Sequence, residues 1–180
     1  MTEFDLSQLT AEVGHICTVG LGREPRKGAR IDQLVAIAKR LSDDPNLPRI
    51  TLVEDAIRPS IGRLGRGEIA LAARFELGTA AETRTLRTIT KRREAICGAL
   101  GIGLEALTSI EKQMHRAIAA DLVARLETRE DLVRSLVSRV DADPAPGEQP
   151  RGDVTDLTLI MGALLREAQM DRWQAEEEKS

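Results

Sequence analysis

The sequence predicts an all-α fold, a helical bundle that contains a helix-turn-helix-like unit. Three observations carry this. Apolar residues recur at helical spacing through most of the chain, as at Leu6, Leu9, Val13, Ile16 and Cys17. The breaks between these runs are short and rich in Gly and Pro, the residues that punctuate helices. The one segment that reads either as a strand or as a helix, Ile50 to Ile57, has no second strand to pair with and is taken as a helix.

The elements follow in order. Ser7 to Val19 is the first helix, and Gly20 to Gly28 is a basic loop after it. Ile31 to Leu41 is amphipathic, with Leu34, Val35, Ala38 and Leu41 on one face, and the turn-forming Ser42 to Pro48 ends it. Ile61 to Gly67 is a Gly- and Arg-rich break before a helix from Glu68 to Leu77, which Gly78 terminates. Thr83 to Ile89 is short and polar. Lys91 to Leu100 and Leu104 to Leu126 are helices separated by Gly101-Ile102-Gly103, and Arg129 to Val140 is a further helix. Together these define a core domain over residues 1–140, with the helix-turn-helix-like unit at about 82–126. Residues 141–153 (DADPAPGEQPRGD) combine Pro, Gly and charge without apolar periodicity and read as a flexible linker. Residues 154–180 read as an amphipathic C-terminal helix whose end, Glu176-Glu177-Glu178, frays.

Composition narrows the function classes. The chain has 180 residues, 42% hydrophobic and 31% charged, a globular composition whose size permits one core without disulfide or metal staples. No run approaches the ~20 apolar residues of a membrane span, and Glu3 and Asp5 near the start do not fit a signal peptide. Two cysteines, Cys17 and Cys97, are too few for a disulfide framework, so the expected compartment is the cytoplasm. Aromatics are 2%, which leaves almost nothing on which nucleobases could stack. The net charge of −3 hides an asymmetry. Residues 22–93 hold 16 bases and 9 acids, a net +7, whereas residues 94–180 hold 10 bases and 17 acids, a net −7. One basic face is therefore compatible with an acidic protein.

The segment Arg93 to Ile110 (REAICGALGIGLEALTSI) carries the one constellation with a mechanism. A helix-turn-helix needs a small residue in its first helix, a Gly at the turn and apolar residues that lock both helices to a third. Cys97, Gly101 and the set Ile96, Leu100, Ile102, Leu107 and Ile110 meet these requirements. On the second helix Thr108, Ser109, Lys112 and Gln113 are the base-contact candidates, and Arg84, Arg87, Lys91, Arg92 and Arg93 upstream are the phosphate-contact candidates.

Residues of about 68–126 also resemble a helical, helix-turn-helix-like module of uncharacterised proteins from high-GC bacteria, often attached to signalling or defence domains. The resemblance rests on Leu71, Phe75 and Leu77-Gly78, on Thr90 to Ala95 and on Leu100-Gly101-Ile102. It implies an arginine-led helix, a tight turn and a basic second helix. This chain departs from the pattern at Leu104-Glu105-Ala106-Leu107, which is less basic.

Other chemistries find little support. His15, Cys17, Cys97 and His115 match no zinc-site spacing, and no third group marks a Cys–His nucleophile, so neither metal nor cofactor is expected. The glycines of Gly20 to Gly22 and of Gly62 to Gly67 lack the Lys-Ser/Thr of a phosphate loop, although Arg63 and Arg66 are basic there. Glu127, Glu130 and Asp131 have surface spacing rather than that of a di-iron site. Leu157, Ile160, Met161, Leu164 and Trp173 form the stripe of the C-terminal helix and are partner-helix candidates. The expected function is a non-enzymatic, homodimeric DNA-binding regulator of helix-turn-helix type acting on double-stranded DNA. The alternative is a helical protein–protein interaction adaptor in a bacterial signalling or defence assembly.

Overall fold

Asp5 begins the first helix because its carboxylate accepts hydrogen bonds from the backbone N–H groups of Ser7 (2.8 Å) and Gln8 (3.4 Å), which have no partner inside the helix. The computed structural model describes residues 4–25, 28–83, 86 and 88–140. Among them are six α-helices and no strand: α1 (Leu6–Val19), α2 (Asp32–Leu41), α3 (Arg49–Arg63), α4 (Glu68–Glu76), α5 (Ile89–Leu100) and α6 (Leu104–Val140), with a 3₁₀ turn at Ala81–Thr83. The chain divides into two units, Met1–Leu132 and Val133–Ser180. In the second unit, the described residues are the last turns of α6. The predicted linker at 141–153 and C-terminal helix at 154–180 lie outside the described residues, as do Arg84 and Arg87.

The first unit is built on one aliphatic core. Leu9, Val13 and Ile16 of α1 meet Leu34 and Ile37 of α2, Leu52, Val53 and Ile57 of α3, Ala72 and Ala73 of α4, and Ile96 of α5. Along α6, Leu107, Ile110, Met114, Ile118, Leu122 and Leu126 form the stripe that closes this core. Polar side chains then fix the helices to one another. Buried Glu12 of α1 accepts from the Leu34 N–H at 2.7 Å, so a carboxylate of one helix caps the start of the next, where Ile31 offers no side-chain cap. From α6, Arg125 donates to the Ala56 carbonyl at 2.7 Å, and Arg129 donates to the Leu41 carbonyl at the end of α2 and to Asp43 at 2.9 Å. Arg40 and Glu130 pair beside it.

Two stretches differ most from the sequence reading. The segment 50–57 is helical, as expected, but its helix runs on to Arg63 because Ser60 and Ile61 are buried against the core. The Gly-rich break therefore starts at Leu64 and not at Ile61. The two helices expected at 104–126 and 129–140 are one. No Gly or Pro separates Leu126 from Arg129, and the Thr128 hydroxyl donates back to the Ala124 carbonyl at 2.9 Å, inside the continuing helix. At 37 residues, α6 is about 55 Å long. Between α5 and α6 the turn has three residues, with Gly101 left-handed (φ 65°, ψ 32°) and its N–H bonded to the Cys97 carbonyl, as the sequence pattern required.

Candidate functional site

Where α1, α4, α5 and α6 converge, the core stops being aliphatic. Cys17, Glu76 and Arg92 are each 1–2% exposed. Glu76 sits in phase with buried Ala72 and Ala73, and Arg92 lies one turn before buried Ile96, so helical periodicity turns both side chains inward. Arg92 uses its two terminal nitrogens as a fork. One donates to the Glu76 carbonyl and the other to the Thr18 carbonyl at 3.0 Å. These oxygens belong to the last turns of α4 and α1, so a single guanidinium caps the C-terminal ends of two helices. Gly20, with φ 88° just past α1, leaves the space the guanidinium needs. Burial, and then the charge of Arg23, lowers the pKa of Arg92 from its ordinary value.

Beside it, Arg93 lies 2.7 Å from Glu111 Oε1 through Nε and donates to Glu111 Oε2 (3.0 Å) and to Thr108 Oγ1 (3.1 Å). Burial and the adjacent Glu76 push the Glu111 carboxyl up to about 7, while Arg93 works in the opposite direction. The Cys17 thiol is held well above its usual range, first by burial, then by the charge of Glu76 and, more weakly, of Glu111, with Arg92 offsetting part of this. A thiol so buried and protonated is a poor nucleophile. His115 of α6 completes the cluster. Its Nε2 is 3.6 Å from Glu76 Oε2, is itself buried and makes no hydrogen bond. Gly14 on α1 makes room for the ring, since a Cβ there would stand 3.2 Å from His115 Nδ1. The ligating atoms of Cys17, Glu76 and His115 all lie within 4.8 Å of one another.

The sequence-derived contact residues divide into two sets. Ser109, Lys112 and Gln113 are exposed on α6, and Lys91 is exposed on α5. Thr108 and Arg93 are bonded to each other, and Arg92 is committed to two carbonyls inside the core. Lock residues Ile96, Leu107 and Ile110 are buried, with Leu100 and Ile102 half-buried against them. Arg84, Arg87, Leu157, Ile160, Met161, Leu164 and Trp173 lie outside the described residues.

Sequence reasoning weighed Cys17 and His115 by their spacing and set both aside; it missed Glu76 and Glu111 entirely. Spacing rules detect ligands on one element, whereas these four come from three helices. The one signal available was a carboxylate, Glu76, in phase with an alanine-lined buried face. Comparison with protein-family models, with curated proteins and with solved structures finds no significant match to this chain.

Proposed function

We propose that the protein is a non-enzymatic helical interaction module that pairs with a second copy of itself through the distal part of α6. The observation that carries this is the pair Leu132 and Val133, which are 44% and 53% exposed on a helix already past Leu126, its last buried described residue. Propensity alone holds so short a helical extension weakly; an apolar partner stabilises it. Charge favours a second copy as that partner. Glu127, Asp131 and Arg134 place both signs along the arm, so a twin does not meet a face of one like charge. Arg129 and Glu130 remain tied to α2, which keeps the arm's base rigid. Sedimentation velocity tests the reading. The wild type is expected to sediment as a dimer, and Leu132→Asp/Val133→Asp as a monomer with unchanged far-ultraviolet circular dichroism. A monomeric wild type, or a variant that still dimerises, removes the proposal.

A second reading, duplex DNA binding in the manner of a helix-turn-helix, is supported by the exposed row Ser109, Lys112 and Gln113 after the three-residue turn. The commitment of Arg92 and Arg93 to internal partners leaves Lys91 as the described phosphate candidate on α5 that stands exposed. Fluorescence anisotropy on short duplexes across salt concentrations tests it. Affinity that falls steeply with salt, and that Lys91→Glu/Lys112→Glu weakens at every sequence, is the expected result. Absence of binding at low salt retires this reading.

A further inference from the structure

We propose that Cys17, Glu76 and His115 form a metal site for zinc(II) or a similar borderline-soft dication, with water in the fourth position. The donor set is the first argument. Thiolate, imidazole and carboxylate on one centre suit zinc and cobalt, whereas the hard, oxygen-seeking magnesium and calcium gain nothing from sulfur. Geometry is the second. Tetrahedral arms of about 2.0–2.3 Å space ligand atoms about 3.3–3.8 Å apart. Here the three ligand atoms fall within 4.8 Å of one another, and the His115 Nε2 to Glu76 Oε2 distance is already 3.6 Å. Small side-chain rotations close the remainder. The third is an unanswered group: His115 Nε2 is buried without a hydrogen bond, an expense that a metal–nitrogen bond removes.

The surroundings fit the role. Arg93 holds Glu111 beside the cluster, at 3.0 Å from its Oε2. Gly14 lets the imidazole of α6 rest on α1, which carries Cys17. The His115 side chain is 20% exposed, the most open of the three ligands, while its Nε2 is itself buried. Binding breaks the Cys17 S–H bond: the sulfur keeps the electron pair and donates it to the metal, and the proton leaves to solvent. No electron is transferred. Because Arg92 and Arg93 already offset both carboxylates, affinity is lower than at an all-cysteine site.

Cobalt(II) titration of the full-length, reduced, metal-free protein tests the proposal, followed by zinc competition against a chromophoric chelator. One equivalent of cobalt should raise a thiolate-to-metal charge-transfer band in the near ultraviolet and intense tetrahedral d–d bands in the visible, and zinc should bleach both. Cys97→Ser should keep them, and Cys17→Ala should lose the charge-transfer band. His115→Gln, at the least buried of the three positions, should weaken zinc by more than the roughly tenfold lost when only a ligand's outer partner is removed. If Cys17→Ala fails to fold, His115→Gln decides the matter alone. Absence of a saturating band, its survival in Cys17→Ala, or equal zinc affinity in His115→Gln overturns the site. None of these outcomes depends on the oligomeric state.

Discussion

Arg92→Ala is expected to destabilise the protein by about 3–5 kcal/mol, the loss found when one member of a buried charged network is removed. The guanidinium satisfies the Glu76 and Thr18 carbonyls, and its charge faces the Glu76 carboxylate and the Cys17 thiol. Truncation leaves two carbonyls without a donor, an uncompensated buried acid and a cavity. Each alone costs about 1–3 kcal/mol. Against a typical total stability of about 5–15 kcal/mol, that is a large fraction. Arg92→Lys keeps the charge but has no planar fork to span two helix ends, so an intermediate loss is expected. Lys91→Ala, at the exposed neighbour, should stay within about 0.5 kcal/mol of wild type. Urea denaturation with linear extrapolation measures all three. A loss under about 1 kcal/mol for Arg92→Ala would mean that water replaces the guanidinium at both carbonyls. One practical consequence concerns the DNA reading: reversing Arg92 to Glu reports on folding, so charge reversals meant to test phosphate contact belong at Lys91 and Lys112.

The fold class was legible because each helix presents a local pattern. Leu34, Ala38 and their neighbours recur at helical spacing, and Gly78 and Gly101 end their helices in the left-handed conformation that other residues adopt at a cost. What was not legible depends on comparing distant segments. At Leu126 the apolar stripe stops, and the sequence reading ended the helix there. Burial had ended, but the backbone had no reason to break. The run Lys91-Arg92-Arg93 looks like one basic face in the sequence. On α5, however, successive residues are about 100° apart, so the three side chains go to solvent, to the core and to Glu111 respectively. The metal-ligand candidates fail local spacing rules for a related reason: Cys17, Glu76 and His115 are neighbours only once α1, α4 and α6 have packed. Buried acids that interrupt an apolar face, Glu12 and Glu76, were the traces visible beforehand: Glu12 bonds the Leu34 N–H of α2, and Glu76 faces His115 of α6.

Gly20→Ala is expected to cost about 2–4 kcal/mol, from two sources that a double-mutant cycle separates. At φ 88° and ψ 161°, Gly20 occupies a region open essentially to glycine alone, so any side chain there carries about 1–3 kcal/mol of backbone strain. A Cβ would also stand 2.5 Å from Arg92 Nη1. On an exposed arginine that clash would be relieved by a rotation. Here the displaced nitrogen is the one bonded to the Glu76 carbonyl, in a side chain that is 2% exposed. Gly101→Ala is the control, since its φ is also positive at 65° but nothing lies within 4 Å of the added methyl; about 1–2 kcal/mol is expected there. In an Arg92→Ala background the clash disappears, so Gly20→Ala should then cost only its backbone strain. The resulting coupling between the two positions is expected within about 0.5–3 kcal/mol, the range for residues in contact. A coupling of zero would show the guanidinium free to move aside, and the large loss expected for Arg92→Ala would then lose its structural basis.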